Sequence, residues 1–271
     1  MALHREGKVF GELEPMVGLG RISSAECYEE SVLLCIELDT FSALLKEYFT
    51  RKLQRVILFF KSMSFLKHTS VKSLLLFAAR CTEARVPSKT VLARQSHPAT
   101  HLFFVKTGRV KVIKDLTFIR EAPSDEMPSA DVFAHALYQE PSPADLRTGN
   151  VRRLKLEVCE CGQFESFGDE RVRGLGEIDE AEWGLYRYSG LTMMPSDVVF
   201  VQAMDFLDFL HPEDVRRFKN NLKTYPPDRD LRRFYFEQKS WKSYKAGLLA
   251  GFNRDLRKQP QQSQFEMFSL A

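Results

Sequence analysis

The sequence predicts an α+β protein, and three observations carry that reading. Residues 102–113 hold two strand-like runs about a single glycine, residues 41–65 repeat apolar side chains at helical spacing, and a strand-then-helix pattern occurs at 31–41 and again at 198–210. The 271 residues suffice for one large domain or two small ones, and 44% apolar against 28% charged residues is a globular balance. Phe, at 22 against 8 Tyr and 2 Trp, points to aromatic cores.

The elements follow in order. Gly7 to Leu13 reads as a turn entering a short helix, and Gly18 and Gly20 as a loop. Ser31–Leu38 has the composition of a strand, and Asp39-Thr40 caps a helix from Phe41 to about Phe65. The apolar face of that helix is Phe41, Leu44, Leu45, Tyr48, Phe49, Leu53, Val56, Ile57 and Phe60. Ser70 to Ala84 is a second helical pattern, broken by Pro87-Ser88. Thr90–Ala93 and Leu102–Val105 are strands. Arg109–Ile113 alternates polar and apolar residues, and the Thr107-Gly108 turn is expected to join it to 102–105 as a hairpin.

Pro123, Pro128, Pro141 and Pro143 among Ser, Asp and Glu make 120–150 a long loop, with a helical turn at Val132 to Leu137. The whole stretch, about 116–153, reads as an insertion into the strand region, which resumes at Leu154–Val158. Gly162 to Gly190 is rich in Gly and acids and shows no periodicity. Val198–Val201 is a strand, Phe206–Leu210 begins a helix, and Pro212 opens the next, which Tyr225-Pro226-Pro227 ends. Asp230 to Leu249 is a basic helix, and the tail beyond Lys258 is polar. Phe234, Tyr235, Phe236, Trp241 and Tyr244 are expected to pack that helix on the sheets, its Lys and Arg forming a solvated face or a docking surface for a protein.

Several function classes lack support in the composition. A formal net charge of +3 is too small to argue for nucleic acid. No run of 18 apolar residues predicts a membrane span, and residues 1–7 hold no apolar stretch of signal-peptide type, so a cytoplasmic protein with no membrane partner is expected. The cysteines at 27, 35, 81, 159 and 161 are expected to be free thiols; Cys159-x-Cys161 lacks the companions of a zinc site, and Pro98 separates His97 from His101. No Ser-His-Asp set, paired carboxylates or Gly-x-x-x-x-Gly-Lys loop stands out, so neither an enzyme nor a cofactor is expected.

Phe10-Gly11-Glu12-Leu13, followed by Arg21-Ile22-Ser23-Ser24-Ala25 and then by a strand and a helix, resembles the phosphate-binding cassette of cyclic nucleotide-binding domains. The resemblance continues through Phe60–Leu66, Val91–Gln95, the Leu102–Val112 segment about Gly108, and Val198–Leu210; it covers roughly 7–115 and 154–222. It implies a double-stranded β-roll, or jelly roll, with flanking helices, preceded by the C-terminal part of another such domain. The implied division is a first-domain remnant at 1–50, a second domain at 51–225 with its insertion, and a helical extension at 226–271. Since no roll strands precede Phe10, the first unit is expected to be partial.

By the same resemblance Glu12 would hold a ribose and Arg21 a cyclic phosphate, with cAMP or cGMP as the ligand. Gly11 would permit close approach, and Leu13, Ser23 and Ser24 would complete the cassette. In the second unit Gly162, Phe164 and Ser166 occupy the place of a cassette start, and Phe167-Gly168-Asp169-Glu170 is a rival alignment. Arg173 and Arg187 are its candidate phosphate partners, neither at the usual interval, so this cassette is expected to be degenerate and structural. The resemblance thus implies a non-enzymatic regulatory protein, cAMP-responsive in its full-length form, or alternatively a non-binding scaffold for protein partners. The two-domain layout resembles family members associated with sperm, which implies the cytosol of germ cells or the flagellum.

Overall fold

The computed structural model describes residues 6–7, 9–17, 20–21, 24–119, 140–174 and 184–258. The chain divides into two compact units, one of residues 1–113 and 159–223, the other of 114–158 and 224–271. The expected helical turn at 132–137 lies outside the described residues.

The first unit begins with helices α1 (Leu13–Val17), α2 (Leu38–Leu44) and α3 (Lys46–Lys61), a 3-10 turn at Ser64–Leu66, and α4 (Val71–Arg80). Strands β1 (Thr82–Val86), β2 (Val91–Ala93), β3 (His101–Thr107) and β4 (Val110–Ile119) follow. After helix α5 (Pro143–Thr148) come β5 (Val151–Cys161), β6 (Ser166–Phe167), α6 (Glu170–Arg173), β7 (Ser189–Thr192) and β8 (Ser196–Gln202). Helices α7 (Ala203–Phe209), α8 (Pro212–Asn220) and α9 (Asp228–Lys258) complete the order.

Two four-stranded sheets form the β-roll, in the orders β1-β8-β3-β6 and β2-β7-β4-β5. β8 pairs antiparallel with β1 and β3, β6 with β3, and β7 with β2 and β4, with Phe103 opposite Phe200 and Val112 opposite Gly190. Strand β3 is apolar from Leu102 to Val105 because both its faces are covered there. Leu102 and Phe104 join Phe60, Phe77, Phe206 and Phe218 in the helix-side core, while Phe103 stacks on Phe167. Within that core Phe60 meets Phe104 edge-on at 5.2 Å, and the Phe206 and Phe218 rings lie 4.8 Å apart.

Four expectations about this unit need correction. β3 and β4 do not form a hairpin; they belong to different sheets. β8 and β6 take both edges of β3, and Gly108, at φ +92, turns the chain toward the other sheet where a Cβ would fall 2.2 Å from Ser196 Oγ. Ser31–Glu37 is not a strand, because among the described residues no strand pairs with it; Val32 is 101% exposed and Leu34 is nearly as open. The long helix is two helices, divided at Leu45, and Asp39-Thr40 lies inside α2 instead of capping it. The pattern at 70–84 ends as a helix at Arg80, since Thr82–Val86 pairs with β8. Ser70 caps α4, its hydroxyl accepting from the Ser73 N–H at 3.1 Å.

The second unit packs Leu116 and Phe118 of β4 and Leu154, Leu156 and Val158 of β5 against Leu231, Tyr235 and Phe236 of α9. Lys114 is buried with its ammonium 3.0 Å from Asp228, and Arg152 donates to the Tyr235 hydroxyl at 3.1 Å. Helix α5 has a capping box, Ser142 with Asp145, and ends on Gly149 in the left-handed region. Packing expected along all of α9 is confined to its start: Phe236 is buried, but Phe234, Trp241 and Tyr244 are exposed.

Candidate functional site

The first cassette closes on itself. Gly11 sits at φ +79, and the Arg21 guanidinium lies over it, Nη1 donating to the Gly11 carbonyl at 3.0 Å. A Cβ at Gly11 would fall 2.4 Å from that nitrogen, so the missing side chain makes room for the arginine. The same nitrogen is 3.9 Å from the buried Glu14 carboxylate, while the Arg21 side chain is 73% exposed. Glu12 and Leu13 are half-buried at the start of α1, Ser24 is exposed, and Ser23 lies outside the described residues. The structure therefore brings Gly11 and Arg21 together, with Glu14, which sequence reasoning did not single out, as the nearby anion.

The second cassette is drawn inward. Asp169 precedes α6 and receives Arg173 Nε at 2.6 Å; the same guanidinium donates through Nη2 to the Lys223 carbonyl at 2.6 Å. The Asp169 side chain is 2% exposed and that of Arg173 25%. Burial raises the Asp169 carboxyl above the ordinary range even against the Arg173 charge. Neighbouring Glu170, also buried, accepts the Arg187 backbone N–H at 2.9 Å. Burial first, and the Asp169 charge second, push Glu170 up to about 7.

The remaining candidates of this cassette are scattered. Glu165 accepts the Gly162 N–H at 2.7 Å and pairs with Lys223 Nζ at 2.7 Å. Ser166 lies in β6, and Phe164, at φ +66, sets its ring 5.7 Å from that of Phe59. Close approach belongs to Gly168, not Gly162: at φ +77, a Cβ on Gly168 would meet the His101 carbonyl and the Phe103 ring at 3.1 Å. Below it, Phe167 and Phe103 stack at 5.0 Å and 6°, and a Cβ on Gly190 would fall 2.4 Å from the Phe167 ring. The Phe103 and Phe167 rings of β3 and β6 thus stack beside Gly190 of β7. Lys223 and Gly190 have no local sequence signal, because their partners lie 20 or more residues away.

Beside this region an open cleft of about 390 Å³ is lined by Arg94, His97, His101, Phe103 and Tyr186 among others. The Tyr186 hydroxyl donates to the His101 carbonyl at 2.8 Å and accepts from its N–H at 2.9 Å, so it braces β3. Burial lowers the His101 pKa, with Asp205 opposing, which leaves the ring neutral at neutral pH. Among the described residues no group of three His, Cys, Asp or Glu could hold a metal, and no helix is long and apolar enough to cross a membrane.

No family profile matches the chain, and no curated protein does. Solved structures do resemble it. The regulatory domain of Toxoplasma gondii PKA, co-crystallised with cAMP, is 14% identical with a TM-score of 0.46, over 68% of this chain and 54% of that one. The regulatory subunit of a cAMP-independent protein kinase A from Trypanosoma brucei is 14% identical with a TM-score of 0.45, over 75% and 57%. The sensor domain of the transcriptional regulator DNR from Pseudomonas aeruginosa is 11% identical with a TM-score of 0.37, over 78% and 98%. This chain spans little more than half the length of the two kinase regulatory chains. These likenesses concern fold alone; the β-roll with flanking helices rests on the two sheets and the helix-side core described above.

Proposed function

We propose that this chain is a non-enzymatic regulatory module built on a β-roll of the cyclic nucleotide-binding type, in which the second cassette serves the fold and holds no nucleotide. The observation that carries this reading is the Arg173 guanidinium, committed to the buried Asp169 carboxylate and to the Lys223 carbonyl. An anionic phosphate arriving there would compete with a carboxylate already in place, and two anions about one guanidinium repel. The Phe103–Phe167 stack supports the same reading by filling space that a base would need.

Nucleotide sensing through the first cassette is a second reading, favoured by one observation: Arg21 is exposed, and among the described residues it is held by the Gly11 carbonyl and the more distant Glu14 carboxylate, so it is able to turn to a phosphate. cAMP or cGMP would be the ligand. Calorimetry of the purified chain with each nucleotide separates the two. The expected result is no dissociation constant below about 10 µM, roughly −7 kcal/mol. Phosphate hydrogen bonds of about 1.5–3 kcal/mol each must first offset the loss of translational freedom on association. Micromolar binding abolished by Arg21→Ala would overturn the first reading in favour of the second. Binding abolished by Arg187→Ala would instead place a working site in the second cassette.

A further inference from the structure

Helix α9 runs for 31 residues, but the second unit buries only its beginning. Every residue from Glu237 to Ala250 is exposed, on all sides of the helix. At about 3.6 residues per turn, Phe234, Trp241, Tyr244, Leu248 and Phe252 fall on one side, within an arc of about 80°. Buried Arg232 and Phe236 lie on the opposite side, so packing within the second unit does not reach the stripe. Trp241 is 56% and Phe252 65% exposed; the Trp241 ring stacks on Tyr244 at 5.6 Å, and the Lys245 ammonium sits 4.9 Å from its centroid.

Charge completes the pattern. Residues 237–252 contain three basic residues, Lys239, Lys242 and Lys245, against one acid, Glu237, and the sequence to Lys258 adds Arg254, Arg257 and Lys258 against Asp255. Lys245 borders the stripe at Trp241, whereas Lys242 and Lys239 fall on the far side of the helix. A flat anionic surface would meet the stripe and leave the far basic residues in water, whereas a groove that wraps the helix meets both. Interior Gly247 and Gly251 weaken the helix in water, so an enclosing partner adds stability that the isolated segment lacks.

We propose that residues 237–252 of α9 dock, as a helix, in the apolar and methionine-lined groove of an acidic protein, the chemistry that calcium-loaded calmodulin presents, with Trp241 and Leu248 as the main anchors. The inference stands independently of whether the roll binds a nucleotide. Calorimetry of the full chain with calcium-loaded calmodulin tests it, alongside co-sedimentation with phosphatidylcholine vesicles containing phosphatidylserine. The expected result is a one-to-one complex with a dissociation constant below about 1 µM, abolished by calcium chelation. Trp241→Ala and Leu248→Ala should each weaken it at least about tenfold, with unchanged far-ultraviolet circular dichroism and urea midpoint, since both side chains are exposed. No heat at about 50 µM calmodulin, or an affinity unchanged in both variants, overturns the proposal. Vesicle binding without calmodulin binding also overturns it and gives the face to a lipid surface.

Discussion

The two cassettes of this chain contain the same kinds of residue, a glycine at positive φ, acids just after it and an arginine further on, and use them in opposite ways. In the first, Arg21 lies at the surface and closes its loop on the Gly11 carbonyl. In the second, Arg173 reaches inward to a buried carboxylate and to a carbonyl 50 residues away. Burial, not residue identity, separates the roles. An exposed guanidinium exchanges partners with water at little cost, while one that neutralises a buried carboxylate is part of the core. A motif alone therefore does not say whether its arginine is available.

The largest expected effect tests that contrast directly. Arg173→Ala leaves Asp169 buried beside nothing that neutralises it and should lower stability by about 3 kcal/mol, whereas Arg21→Ala should lower it by less than about 1 kcal/mol. Urea denaturation of both variants measures the difference; equal losses would erase the distinction.

Next come the glycines. An added Cβ meets an atom at 2.4 Å at both Gly190 and Gly11, but the first obstacle is the Phe167 ring, buried and stacked, and the second is the tip of an exposed arginine. Gly190→Ala should destabilise by about 2 kcal/mol through overpacking. Gly11→Ala should cost about 1 kcal/mol, from its positive φ alone. A Gly190 variant with an unshifted melting temperature would mean that the ring moves aside freely.

A smaller effect concerns pH. Glu170 titrates near 7 in the fold, above the ordinary carboxylate value that it regains on unfolding. Between those two values the unfolded chain has released the proton that the folded chain still holds, so stability falls as pH rises, by at most about 1.4 kcal/mol per pH unit, and levels off above 7. Asp169, raised by burial, acts in the same direction. Urea midpoints should decrease from pH 5 to pH 7, and Glu170→Gln should flatten the trend. A slope of unchanged steepness in that variant would assign the proton elsewhere.

Much of the roll was readable from apolar runs: β2, β3 and β8 stand out because their side chains are buried on one or both faces. β1 and β7 were not, since Thr-Glu-Ala-Arg-Val and Ser-Gly-Leu-Thr hold few apolar residues and are strands by virtue of β8, β4 and β2 beside them. Ser31–Glu37 errs the other way, with strand composition and no neighbour to pair with. Helix α5 announced itself as Ser142-Pro143-Ala144-Asp145, a capping box that the surrounding prolines obscured. At the site, Asp169 to Arg173 is a helical spacing of four, whereas the sequence assigns Arg21 to a phosphate and gives no sign of its bond to the Gly11 carbonyl. The Lys223 carbonyl and the Phe167–Gly190 approach depend on tertiary packing that no local pattern encodes.

The core of the second unit has a consequence for the order in which the molecule matures. Leu116 and Phe118 are covered by Leu231 and Phe236, more than a hundred residues later in the chain. During synthesis, at about 5–20 residues per second, those two side chains emerge several seconds before the helix that shelters them exists. A product ending between β5 and Leu231 keeps the β5 side of that cluster, Leu154, Leu156 and Val158, but lacks the α9 side. Translation through the start of α9 is what completes the cover of Leu116 and Phe118, and until then they are the kind of apolar surface that chaperones and proteases recognise.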